Sequence, residues 1–200
     1  MLDQELATYD TLIWSDGSLR VEDQIGSAGY VWNNALGEIL GELGETFYPI
    51  FSSFQAETLA LMCALKNCFM YDENVTDKSI CILSDSQGLL RHLKKLQLCS
   101  SHVSSAVIDI LEEIKLAYER KCKSITFKWI PGHSGLGYNP RADRLASKAY
   151  KQDPCPNSVP IPVKTLQHVA TRRMDDKLLC YLDQSVCSSE DDFQSSTRCI

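Results

Sequence analysis

No apolar run in this 200-residue chain approaches the roughly 20 residues that a membrane helix needs. The opening residues, MLDQELATYD, lack both a basic region and an apolar core, so no secretory signal is expected. No internal repeat is visible, which excludes a solenoid or propeller. Nine cysteines are present, at 63, 68, 81, 99, 122, 155, 180, 187 and 199, yet no Cys-x-x-Cys pair occurs. Cys63 and Cys68 lie five apart in a helical pattern, which splays them. An odd, scattered set of this kind argues against both a zinc site and a disulfide framework. The thiols are expected to be free, in a reducing compartment inside the cell (cytoplasm or nucleus).

An excess of positive charge is also missing. Lys and Arg number 20 against 26 Asp and Glu, a net charge of -6. Within residues 1–150 the counts are 14 and 19. A nucleic-acid partner would therefore be held weakly, through few phosphate contacts and with a marked salt dependence. Lys94, Lys95, Lys121, Lys123 and Lys128 make a modest candidate basic rim. The apolar fraction of 44% is ample for a core, and the length suits one domain with an appendage.

Periodicity divides the chain into strands and helices. Thr11–Asp16 reads as a strand ending in a Gly-Ser turn. Ala28–Trp32 and Glu38–Gly44 flank a turn at Asn33-Asn34, a hairpin signal. Ser53 is the expected cap of a helix carrying Leu61, Met62, Leu65 and Phe69 on one stripe. Ser79–Leu83 is almost wholly apolar, the mark of a central strand covered on both faces. Gly88–Leu98 and Val103–Lys121 read as helices, and Ile125–Ile130 as a strand. Trp14, Trp32 and Trp129 are expected in the core. Asn139 caps a last helix, with Pro140 at a position whose N–H needs no partner. The order β-β-β-α-β-α-α-β-α implies an α/β domain with a mixed sheet. Pro154, Pro156, Pro160 and Pro162 then break the pattern and mark a linker over 151–163. Residues 164–200 form a C-terminal tail, polar from Ser188 on, and a helical pattern at Val163–Leu182 runs into it from the linker.

Four stretches carry chemistry: Trp14-Ser15-Asp16-Gly17-Ser18, Phe54-Gln55-Ala56-Glu57, Leu83-Ser84-Asp85-Ser86-Gln87, and Trp129-Ile130-Pro131-Gly132-His133-Ser134-Gly135 running on to Asn139 and Asp143. Each puts one carboxylate at a strand end or in the opening turns of a helix, and ligands of open α/β sheets sit beyond such strand ends. Asp16, Glu57, Asp85 and Asp143 would repel one another if brought together without a cation. Hard oxygen donors suit Mg²⁺ or Mn²⁺. The set reads as a two-metal phosphodiester site, in which one ion activates water and the other stabilises the leaving alkoxide.

In this order and spacing the four stretches resemble the type 1 ribonuclease H domain over about residues 8–150. The form most similar is that of non-LTR retrotransposon polyproteins. The resemblance implies a ribonuclease H-like fold: a five-stranded mixed sheet with helices on both faces. It implies hydrolysis of the RNA strand of RNA–DNA hybrids with two Mg²⁺ ions, and a reverse transcriptase domain in the same polyprotein as a partner. By position, Asp16 would bridge both ions. Asp143 would hold the one activating water, and Glu57 and Asp85 the one beside the leaving oxygen. His133 matches a mobile histidine that assists proton movement or product release. The backbone at Gly17 and Ser18, with Gln55, Ser86 and Gln87, matches positions lining the hybrid, which is recognised through its 2′-hydroxyls across a shallow minor groove.

The chain departs from the family in three places. Ser53 and Phe54 stand where polar residues often precede the helix-borne Glu. Tyr138-Asn139-Pro140 replaces the usual Gly-Asn-Glu. No Lys/Arg-rich insertion separates the helices at 88–98 and 103–121, as is common in retroelement versions. Singly, each motif has a plainer reading: Asp16 as a turn former, Glu57 as a surface residue, His133 as a loop histidine, and His92, His102 and His168 as surface or packing residues. Asp85 is the hardest to dismiss, because an acid behind a buried strand is costly unless paired. The alternative to an active hydrolase is an inactive or co-opted domain that binds nucleic acid or a protein.

Overall fold

The computed structural model describes residues 2–71, 76–96, 105–152 and 156–159. They form α1 (Leu2–Leu6), β1 (Thr11–Arg20), β2 (Ile25–Asn34), β3 (Ile39–Tyr48), α2 (Ser53–Tyr71), β4 (Ser79–Ser84), α3 (Gln87–Leu96), α4 (Ser105–Glu119), β5 (Ser124–Trp129), α5 (Asn139–Gln152) and β6 (Asn157–Ser158). The sheet order is β5-β4-β1-β2-β3-β6. β1, β2 and β3 form an antiparallel meander, and β4 and β5 join it in parallel on the other side of β1. The sixth strand lies in the stretch read as a linker, where Asn157 and Ser158 pair in parallel with Phe47 and Tyr48. The pattern at Val163–Leu182 falls outside the described residues, as do His102 and His168.

β1 is four residues longer than its apolar run suggests. It does not turn at Gly17-Ser18, because β2 stays in register beside it as far as Arg20 opposite Ile25. The hairpin loop between β2 and β3 likewise sits later than expected. Asn34 Oδ1 accepts the N–H groups of Leu36 (3.0 Å) and Glu38 (2.9 Å), a side-chain-closed turn.

The β4 run Ile80–Leu83 is fully buried, as expected for an inner strand flanked by parallel partners. The main core joins Ile13, Tyr30, Ile80 and Ile82 of the sheet to Leu61 and Leu65 of α2, Leu89 of α3 and Ile110 of α4. A smaller cluster of Leu6, Leu12, Trp14, Cys81, Leu83 and Ile130 is closed by α1. α5 packs across β1, β2 and β3. Trp14 and Trp32 are in the core, but Trp129 is 49% exposed. It is the last residue of β5, and its indole N–H donates to the Asp85 carbonyl oxygen (3.0 Å). Cys63, Cys68, Cys81 and Cys122 are buried, and none forms a disulfide among the described residues. No described helix is long and apolar enough to cross a membrane.

Candidate active site

Two glycines on neighbouring rungs of the β1–β2 ladder set the geometry. Directly paired residues of an antiparallel ladder share a face, so Asp16 and Gly29 face one way and Gly17 and Ala28 the other. A Cβ on Gly17 would strike the backbone of Ala56 (2.5 Å to its carbonyl carbon) and of Glu57 in the first turn of α2. A Cβ on Gly29 would strike the Ala142 carbonyl oxygen and the Ala146 nitrogen of α5 (2.5 Å to the latter). The missing side chains let α2 press on one face and α5 on the other, each carrying an acid to Asp16. A third contact comes from the loop after β5: a Cβ on Gly132 would lie 2.6 Å from Asp85 Oδ2.

Ligand oxygens of Asp16, Glu57 and Asp85 lie within 4.8 Å of one another. Asp143, in the second turn of α5, joins the cluster through a side-chain hydrogen bond to Asp16. Burial, then the charges of Asp85 and Asp143, push the Asp16 carboxyl up to about 7. Burial and the charges of Asp16 and Asp85 push Glu57 up to about 9, against the opposing hydrogen bond donated by the Gly17 N–H. Burial also raises Asp85. Glu57 Oε2 is buried with no hydrogen-bond partner among the described residues. An orphaned carboxylate oxygen beside two more carboxylates is a donor set that a hard divalent cation fits.

His133 lies on the exposed loop after β5 and bears on both Asp16 and Asp85, lowering each. Its backbone is left-handed (φ 53°), a conformation in which His is enriched among non-glycine residues. Gly135 and Gly137 in the same loop are also left-handed, at 72° and 51°.

The remaining site residues are placed unevenly. Gly17 touches Glu57, and Ser18 is exposed one residue further along β1. Ser86 and Gln87 open α3 beside Asp85, with Gln87 exposed. Gln55 is committed to the start of α2: its Oε1 accepts the Phe51 N–H (3.1 Å), while Ser52 Oγ accepts the Gln55 N–H (3.2 Å). This is a variant of the capping box, in which Gln55 reaches back to the Phe51 N–H rather than that of Ser52, and it makes Ser52, not Ser53, the cap. Asn139 does not cap α5 with its side chain either. It is buried, its Oδ1 has no partner among the described residues, and the Tyr138 carbonyl accepts the first helical N–H groups. Lys128 leaves the proposed basic rim, since it is mostly buried in an ion pair with Glu5.

Gly29, Gly132 and the Glu42–Arg141 ion pair, which ties α5 to β3, are contributors not identified by sequence reasoning. The run Gly26-Ser27-Ala28-Gly29 inside a strand was the available signal, because small residues there mark a close approach.

Similar folds are found among proteins of known structure. The N-terminal RNase H domain of a Mycobacterium tuberculosis protein, solved as a fusion with maltose-binding protein, is 18% identical, with a TM-score of 0.53 over 72% of this chain and 94% of that one. LC11 RNase H1, isolated from compost and solved in complex with an RNA/DNA hybrid, is 20% identical, with a TM-score of 0.54 over 71% and 97%. RNase H1 of the halophilic archaeon Halobacterium salinarum is 23% identical, with a TM-score of 0.50 over 72% and 98%. At these identities the likeness establishes the fold. The RNase H family model matches residues 8–151, and by that match the chain belongs to the RNase H family.

Proposed function

We propose that this chain hydrolyses the RNA strand of RNA–DNA hybrids, with Asp16, Glu57, Asp85 and Asp143 holding two divalent ions, Mg²⁺ or Mn²⁺. One observation carries the reading. Three carboxylates converge within 4.8 Å in an RNase H domain, and a fourth is hydrogen-bonded to the central one. When bound, such ions supply activation of the attacking water and charge neutralisation at the leaving oxygen. The chain's own part is to fix the acids. The Gly17 N–H orients Glu57, the Gly132 backbone rests on Asp85, and α5 presents Asp143 to Asp16. Gly17, Ser18, Ser86 and Gln87 would line the hybrid, and Gln55 would act mainly by holding the start of α2. Cleavage of labelled hybrid, duplex RNA and duplex DNA with Mg²⁺ tests this. RNA-strand cleavage of the hybrid alone is expected, and equal cleavage of either duplex would overturn it.

His133 would move a proton or help product leave. It sits on an exposed loop, and an imidazole is a poor match for a hard ion held by carboxylates. His133→Ala should therefore slow turnover by ~10²–10⁴-fold if the step is general acid–base catalysis. Mg²⁺ binding by the free protein should be unchanged. A larger loss in steady state than in single turnover would assign His133 to product release, whereas lost Mg²⁺ binding would make it a ligand.

We also propose that the working domain ends near Val159 and that it derives from a retroelement polyprotein carrying a reverse transcriptase. Support for the origin is the absence of a Lys/Arg-rich insertion between α3 and α4, and the full transcript would test it by showing whether a reverse transcriptase frame precedes the domain. Cutting after residue 159 should leave a folded, active protein. Cutting after 152 removes β6 and the Val159 N–H bond to the Tyr48 carbonyl (2.9 Å). It should cost roughly 1–2 kcal/mol in urea unfolding without changing single-turnover cleavage.

A further inference from the structure

A sizeable concavity lies outside the carboxylate cluster. α3 and α4 both lean on α2 but leave a gap between them above the edge strand β5, and the gap encloses about 530 Å³. Its walls include Leu90 of α3, Ile114 of α4, and Phe127 and Trp129 of β5. The charged residues of the described lining are Arg91 and Lys94, both exposed on α3, and no described carboxylate lines the gap. Neither makes an ion pair with a described residue. α3 (QGLLRHLKKL) carries basic residues and no acidic one, in a chain whose net charge is -6.

A concavity of a few hundred Å³, apolar in its body and with a small number of convergent polar groups, is the form of a small-molecule site. These two cations, with no ion-pair partner among the described residues, fix the sign of the ligand. We propose that the α3–α4–β5 groove binds a small amphiphilic anion, a flat apolar body bearing a carboxylate or sulfonate. Its rings lie against Leu90, Ile114 and Phe127, and its charge meets Arg91 and Lys94. The exposed face of Trp129 closes the end nearest Asp85. This inference rests on the fold and is independent of the cleavage reading.

The probe is 8-anilinonaphthalene-1-sulfonate, titrated into the folded full chain without metal and followed by its own emission and by energy transfer from tryptophan. One saturable site is expected. Ile114→Trp should fill the groove and abolish the site. Arg91→Glu with Lys94→Glu should weaken binding roughly tenfold without touching the core. An uncharged naphthalene analogue should bind at least as weakly as the sulfonate binds the double variant. Circular dichroism and thermal melts establish that each variant is folded. If Ile114→Trp does not fold, Leu111→Trp, at a 39% exposed position of the groove wall, serves the same purpose. Unsaturable binding, or binding unchanged in both the filled and the charge-reversed proteins, would overturn the proposal. So would preference for an acidic amphipathic peptide that displaces the probe at lower concentration, because the groove would then be a protein-docking surface.

Discussion

Asp16→Asn is expected to reduce cleavage of the hybrid by at least ~10³-fold while leaving the metal-free fold as stable as before, or more so. The loss follows from several kcal/mol of charge stabilisation that depend on the central carboxylate. The stability follows from the cluster's repulsion. In the metal-free protein Asp16 is raised to about 7 and Glu57 to about 9, with Asp85 raised as well. Unfolded carboxyls titrate near 4. Between about pH 4 and pH 7–9 the folded protein therefore holds protons that the unfolded chain has released. Stability is greatest at the acid end of this window and falls as pH rises through it, by up to about 1.4 kcal/mol per pH unit for each raised group.

Asparagine at 16 removes one titrating group and relieves Glu57, while its amide can still donate to Asp143. Urea unfolding at pH 5, 7 and 9 in chelator should show a shallower decline for Asp16→Asn than for the parent. Millimolar Mg²⁺ should flatten the parent's decline, with a gain that grows with pH as the carboxylates ionise. The variant should gain less. A variant that keeps near-normal Mg²⁺-dependent cleavage would show that the site is misassigned. A parent whose stability rises from pH 5 to pH 9 in chelator would show that the acids do not repel.

The residues that could be placed from sequence are those whose local pattern already implies their surroundings. Asp85 follows a strand so apolar that it had to be buried, and β4 is indeed covered on both faces. Glu57 and Asp143 sit early in helices whose periodicity is clear. What escaped depends on neighbours distant in the chain. Nothing local distinguishes the Asn139 side chain from a cap, and it is the Tyr138 carbonyl that receives the helix N–H groups. Trp129 alternates correctly with Ile125 and Phe127, yet as the last residue of β5 it stays half-exposed. The extension of β1 past Gly17-Ser18 is imposed by β2, and the strand at Asn157–Ser158 by the exposed edge of β3. The α3–α4 gap is a relation among three elements that no single one of them encodes.

Gly17→Ala tests whether backbone proximity, rather than the acids alone, makes the site. The added methyl would lie 2.6 Å from the Ala56 carbonyl oxygen and closer still to the Glu57 nitrogen. These are backbone atoms in the first turn of α2, so no rotamer change relieves the clash. The start of α2 must move off β1, against the capping box at Ser52 and Gln55 and the packing of Ala56, Leu59 and Ala60 in the core. Overpacking of this kind costs about 1–3 kcal/mol. Because the Gly17 N–H also donates to the Glu57 carboxylate, the movement misplaces the acid as well. Single-turnover cleavage should fall by ~10²-fold, the scale attached to displacements of about 1 Å near reacting groups. Val21→Ala is the control, because its side chain, 75% exposed just past the end of β1, lies outside the site. It should retain stability and lose little rate. A Gly17→Ala protein with parental stability and parental cleavage would mean that α2 can slide without moving Glu57. The close approach of β1 and α2 would then be incidental to the site.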